Sequence, residues 1–92
     1  MEKISVKEMR RAILHVSRGD VQVRNLSDDQ LLKCDWLNDL KMGNIRVYNV
    51  AIELQRSYNL SFPSEIFKVA HDNTVGALLD AINQYIDENA NS

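Results

Sequence analysis

The chain has 92 residues, a formal net charge of -2 and a hydrophobic content of 45%. That length suits one domain with a single modest core, and the apolar content excludes a disordered chain. The near-neutral charge offers no general attraction to nucleic acid, no basic run addresses a membrane surface, and no apolar run is long enough to span a bilayer.

With 1 proline and 3 glycines in the chain, long helices are favoured over a turn-rich β fold. Val6, Met9, Ile13 and Val16 recur at helical spacing and predict a first helix over about 5–17, with Ser5 as N-cap and Glu8 completing a capping box. In "GDVQVRNL", residues 19–26, Val21 and Val23 alternate with polar residues. No other segment offers a β partner, so an extended loop pinning Val21, Val23 and Leu26 onto the core is expected. "SDDQLLKCDWLNDL" opens with a second capping box, Ser27 and Gln30, while Asp28 and Asp29 suit the positive end of a helix. A short helix carrying Leu31, Leu32 and Trp36 is expected, with Leu37 and Leu40 extending the apolar pattern.

Gly43 and Asn44 open the clearest helix, 45–58. Its core stripe is Val47, Val50, Ala51, Leu54 and Tyr58, with Tyr48 at the flank. Phe62-Pro63 sets up a short helix from Pro63 to about Val69, presenting Ile66, Phe67 and Val69. Asn73 or Thr74 caps a last helix whose apolar face is Val75, Leu78, Leu79, Ile82 and Ile86. A polar tail over about 89–92 is expected to fray. The fold class is therefore all-α: one domain over 1–92, a four-helix bundle with a long loop between helices one and two and a short third helix.

Chemistry-bearing patterns are sparse. Cys34 is the lone cysteine, which excludes an internal disulfide and suits a reducing compartment. Lys33 is adjacent in sequence but points elsewhere on a helix, so thiolate activation is not expected. His15 lies beside the apolar face of the first helix and His71 in a loop, without HExxH or CxxC spacing, so no metal site is expected. His71-Asp72 reads as a loop and cap feature. Tyr48, Tyr58, Phe62 and Phe67 stand at core spacing, with too little basic interleaving for a nucleic-acid platform. Neither a GxSxG turn nor a phosphate-cradling glycine loop occurs. No catalytic residue is expected, and the chain reads as a non-enzyme. The opening "MEKISVKEMRR" lacks the apolar core of a signal peptide, which makes the cytoplasm the expected location.

From Trp36 to Pro63 the sequence resembles the acyl carrier proteins. That family places an aromatic residue, two variable residues, Asp-Leu and two more residues ahead of an Asp-Ser-Leu motif at the start of its second helix. Trp36, Asp39 and Leu40 match the lead-in. Tyr48, Val50, Leu54, Tyr58 and Phe62 match apolar helix-two positions, Pro63 falls at a frequent proline, and Asn73-Thr74-Val75 is similar to the opening of the family's last helix. Gly43-Asn44-Ile45 stands where Asp-Ser-Leu would.

The resemblance implies 4′-phosphopantetheine as the family cofactor, esterified to the motif serine. Asn44 has no hydroxyl to accept it, no Asp-Ser pair occurs in the chain, and Ser57, Ser61 and Ser64 lie at or beyond the far end of the helix. No cofactor is therefore expected. Carrier proteins offer an acidic second helix to their enzymes; here Lys41, Arg46 and Arg56 face one acid, Glu53. The implied function is a monomeric carrier-like module that is not phosphopantetheinylated and binds a protein partner, a biosynthetic enzyme or another carrier, within fatty acid or polyketide-type biosynthesis. Arg46, Asn49, Glu53 and Arg56 are its expected partner surface, and Asn44 is read as an N-cap. The alternatives are non-covalent binding of a small apolar ligand inside the bundle, or an active carrier with another attachment residue.

Overall fold

The computed structural model describes residues 3–19 and 21–90, with side chains at all of these but 21, 69–72 and 90. Six helices follow in order: α1 (Val6–Val16), α2 (Val21–Asn25), α3 (Asp28–Lys33), α4 (Asn44–Tyr58), α5 (Ser64–Asp72) and α6 (Val75–Ala90). No strand occurs among the described residues; Asp35 and Thr74 form an isolated bridge. No described helix is long and apolar enough to cross a membrane.

The first long helix begins where its cap dictates. Ser5 Oγ accepts the Glu8 N–H at 3.2 Å. Glu8 does not close the reciprocal half of the expected box; its carboxylate takes Arg11 Nε at 2.9 Å. Met9, Ala12 and Ile13 form the buried face. After α1, Arg18 (φ 59) and Gly19 (φ 85) turn the chain through left-handed backbone, where glycine costs little.

Residues 21–25 then form a helical turn, not the expected extended loop. The apolar pair that matters is Val23 and Leu26, three apart, which one helical turn puts on one side. Val23 is buried and Leu26 half-buried; the Val21 side chain lies outside the described set. Arg10 of α1 holds this turn: one guanidinium nitrogen donates to the Val23 carbonyl at 2.6 Å and another pairs with Asp28 at 2.8 Å.

At α3 the full capping box forms: Ser27 Oγ accepts from Gln30 N, and Gln30 Oε1 accepts from Ser27 N. Trp36 is buried as expected, but from the turn beyond the helix. Its indole Nε1 is buried and has no hydrogen-bond partner among the described residues.

α4 packs between α1 and α5, α5 packs on α6, and α6 on α3. Val47, Val50, Ala51 and Leu54 are buried, and Tyr58, the last of the expected stripe, is half-buried. Asn59 ends α4 in left-handed backbone (φ 53), a conformation asparagine tolerates. Pro63 is the N-cap of α5, one residue ahead of the first turn. The backbone of α5 continues through His71 and Asp72, so this pair is helical and not a loop; the side chains of Val69 and His71 lie outside the described set. Thr74 Oγ1 accepts the Ala77 N–H at 3.1 Å at the start of α6. The whole expected face of α6 is buried. The helix runs to Ala90, past the expected end near Asn89; residues 91–92 lie outside the described set.

The N-terminal segment closes the assembly. Asn83 of α6 accepts the Ile4 N–H at 2.7 Å and donates to the Ile4 carbonyl at 3.0 Å, which seats the buried Ile4 side chain. No polar or charged side chain is buried among the described residues, so apolar packing holds the helices together.

Two substitutions probe that packing. Leu54→Ala removes a fully buried side chain and should cost about 2–5 kcal/mol in urea unfolding. Gly76 is the close approach of α6 to α3: an added Cβ would stand 2.9 Å from the Leu32 carbonyl oxygen. Gly76→Ala should therefore lower stability by about 1 kcal/mol, although alanine is the better helix former by a similar amount.

Candidate functional site

The segment from Cys34 to Arg46 delivers the start of α4, and two aspartates shape it. Asp35 Oδ1 accepts the N–H groups of Leu37 and Asn38 at 2.9 and 2.8 Å. Asp39 Oδ2 accepts the N–H of Asp35 at 2.7 Å. The Trp36 carbonyl then accepts Met42 N at 2.8 Å. This closed turn sends Trp36, Leu40 and Met42 inward and leaves Leu37 62% exposed. Lys41 follows in left-handed backbone (φ 56) and redirects the chain into α4.

The N-cap of α4 is Gly43, not Asn44. Gly43 has extended backbone (φ -74, ψ 174), and its carbonyl accepts the Val47 N–H at 3.1 Å. These are the geometry and bond of a cap residue. Asn44 is already the first helical residue. Gly43 supplies no side-chain cap bond, and an added Cβ there would meet nothing within 4 Å. Its φ is ordinary, so the fold does not require glycine here. Asn44 is exposed beside a shallow groove of about 430 Å³ lined by Lys41, Gly43, Asn44, Ile45 and Arg46. Ile45 is 77% exposed.

The Asn44 side chain is a carboxamide, which cannot form the phosphodiester that a serine hydroxyl forms. Other hydroxyls are distant or in use: Ser57 lies thirteen positions along α4, ~20 Å at 1.5 Å per residue. Its Oγ accepts from Arg11 and donates to Glu53. Ser5 and Ser27 cap α1 and α3, and Ser17 Oγ is buried.

Of the four residues expected to form a partner surface, Arg46, Asn49 and Arg56 are exposed on α4, whereas Glu53 is half-buried. Glu53 Oε1 lies 3.6 Å from Arg11 Nη1, and its Oε2 lies 3.5 Å from His15 Nε2. Glu53 therefore belongs to a polar clasp across the outside of the α1–α4 interface. Arg11 also serves Glu8: its hydrogen bond, with a second from Tyr58, holds the Glu8 carboxyl below the usual carboxylate range. The clasp joins residues about forty positions apart, beyond the reach of helical-spacing rules.

Between α4 and α5 the rings of Tyr48 and Phe67 pack edge to face at 5.8 Å. An open groove of about 610 Å³ lies elsewhere, against α2, α3 and the aspartate turn, lined among others by Gln22, Leu26, Lys33, Cys34 and Leu40. Cys34 is half-buried and its Sγ donates to the Gln30 carbonyl at 3.3 Å. Burial, with the nearby charge of Asp39, pushes its thiol pKa up, the opposite of nucleophile activation. Among the described residues no group of three or more His, Cys, Asp or Glu side chains is placed to hold a metal ion.

Comparison with known proteins returns no matching family model, no matching curated protein and no matching solved structure.

Gly43→Asp should add the missing cap bond and a favourable charge at the helix start. It also reduces the freedom of the unfolded chain. The expected gain is about 0.5–1 kcal/mol by urea unfolding. Cys34 should react slowly with iodoacetamide at neutral pH. Its rate should rise only above the range of a free thiol, and unfolding in urea should restore ordinary reactivity. Because the folded thiol keeps its proton to higher pH, the stability linked to it is complete below the unfolded pKa and is lost as pH rises.

Proposed function

We propose that the chain is a carrier-protein-like, non-enzymatic interaction module that carries no phosphopantetheine. In this reading α1, α4, α5 and α6 are the four helices of a carrier-like bundle, and α2 and α3 occupy its long first connection. The order of the helices and the sequential packing of α1 on α4, α4 on α5 and α5 on α6 support it. So does the Trp36–Leu40 turn that leads into α4.

The observation that carries the reading is Asn44. The chain builds a shaped, exposed helix start and places there a side chain that cannot be esterified. Presentation without a nucleophile suits a protein that is recognised and not loaded. The cationic residues of α4 point to partners unlike the basic-faced enzymes that an acidic carrier helix meets; charge governs encounter and partner choice. The function that follows is binding: a protein partner, an enzyme or a true carrier, engaged through α4.

The test is enzymatic loading. Incubation of the full chain with coenzyme A and a broad-specificity phosphopantetheinyl transferase should leave its intact mass unchanged. A gain of one phosphopantetheine at any residue would overturn the unloaded part of the reading. The double variant Gly43→Asp with Asn44→Ser restores the local motif and should take up the group at residue 44. Its failure to do so, in a folded variant, would remove the carrier-like part.

A further inference from the structure

α4 carries two apolar lines. The first, Val47, Val50, Ala51 and Leu54, faces the core. The second runs along the opposite side. Ile45 and Ile52 are seven residues apart, 77% and 38% exposed, and neither belongs to the buried core. Asn49 and Arg56 share their face at i+4 and i+11, and both are exposed. Tyr48 falls three residues after Ile45, half-buried against Phe67, at the edge of the same face. Ile45, Tyr48 and Ile52 thus repeat at i, i+3 and i+7, the spacing with which one helix receives another.

The charge around this line is one-sided. Lys41 and Arg46 line the groove at its N-terminal end, and Arg56 lines a groove beside Ile52 at its other end. None of these three side chains has a hydrogen bond or ion pair among the described residues. The one acid of the helix, Glu53, is already engaged by Arg11 and His15. The surface therefore presents cations without a partner among the described residues around an isoleucine seam.

We propose that the outer face of α4, with Ile45 and Ile52 as anchors and Lys41, Arg46 and Arg56 as the flanking charges, is the docking seam for an acidic amphipathic helix of a partner protein. The proposal rests on the interaction-module reading and specifies its partner. A second copy docked through the same face is a poor occupant, because that contact sets three cations against their own images and Glu53, the one acid of the helix, is already engaged. An anionic membrane is a poorer one, since two isoleucines offer little area to insert and no exposed aromatic ring accompanies them. An acidic helix supplies both leucine-like knobs for the seam and carboxylates for the rim.

The experiment is a titration of the full chain with a synthetic helical peptide of about three heptads, leucine at the seam positions and glutamate flanking them. Fluorescence anisotropy is read at low and at physiological salt. Controls are the same peptide with lysine flanks and vesicles rich in phosphatidylserine. The glutamate peptide should bind, and the lysine peptide should bind at least ~10-fold more weakly. Affinity should fall as salt rises. Ile45→Ser with Ile52→Ser, and separately Arg46→Glu with Arg56→Glu, should each weaken binding ~10-fold or more, with circular dichroism unchanged. Amide shift changes should centre on Ile45, Asn49 and Ile52. No binding by the glutamate peptide, equal binding of both peptides, indifference to both double variants, or vesicle binding in place of peptide binding would each overturn the proposal. The loading assay is independent of α4 contacts to the peptide. Loss of the seam with an unloaded wild type and a loadable double variant would therefore leave the carrier-like reading standing.

Discussion

The reciprocal turn between Asp35 and Asp39 is the constraint on which the arrangement of the long helices depends. Two carboxylates satisfy three backbone N–H groups within five residues. That leaves the chain free to point Trp36, Leu40 and Met42 into the core and still emerge at Gly43 ready to start a helix. The same segment is tied to the other end of the molecule, because the carbonyl of Cys34 accepts the Val75 N–H at 2.9 Å. The beginnings of α4 and α6 are thus set by one short stretch. Since the core holds no buried polar side chain, the polar geometry that orients the helices sits at its edge, in this turn, in the Ile4–Asn83 pair and in the Arg10 bridge to Val23 and Asp28.

The parts legible in the sequence are those governed by local rules. The α6 face from Val75 to Ile86, the α4 stripe through Leu54 and the Ser27–Gln30 box need nothing beyond 3.6-residue spacing and cap chemistry. All are present as read. The features that depart from these local rules are short or non-local. A five-residue helix gives no periodic window, so Val21 and Val23 looked like alternation, and the structure settles the matter through Arg10, thirteen residues from Val23. A short helix carrying Trp36 is expected from the apolar pattern, yet the aspartates on either side make a turn.

The candidate site divides the same way. Arg46, Asn49 and Arg56 were placed on an exposed face from their spacing, and they occupy it. Glu53 has the right spacing but the wrong environment: Arg11 and His15 reach it from α1, a contact visible only once two helices pack. Cap propensity favours Asn44, yet Gly43 has the extended backbone and the carbonyl bond to Val47. Propensity described the residue type; chain direction after Lys41 decided the position.

That displacement by one residue changes what α4 offers. With Gly43 as cap, the cap residue gives no side-chain bond to the first amide groups, and the first apolar residue of the helix, Ile45, is 77% exposed. Glycine is not demanded by sterics at 43, and isoleucine is not demanded by the core at 45 or 52. Folding explains the line from Val47 to Leu54, because burial of those side chains holds α4 against α1 and α5. It does not explain a second apolar line, which lowers solubility and adds nothing to the core. Isolated exposed apolar residues need no explanation, but a repeat at helical seam spacing, flanked by cations without a partner among the described residues, is ordered in the way a contact surface is ordered. The physical content of α4 is therefore double. One face settles where the helix lies, and the other settles what kind of surface can lie on it.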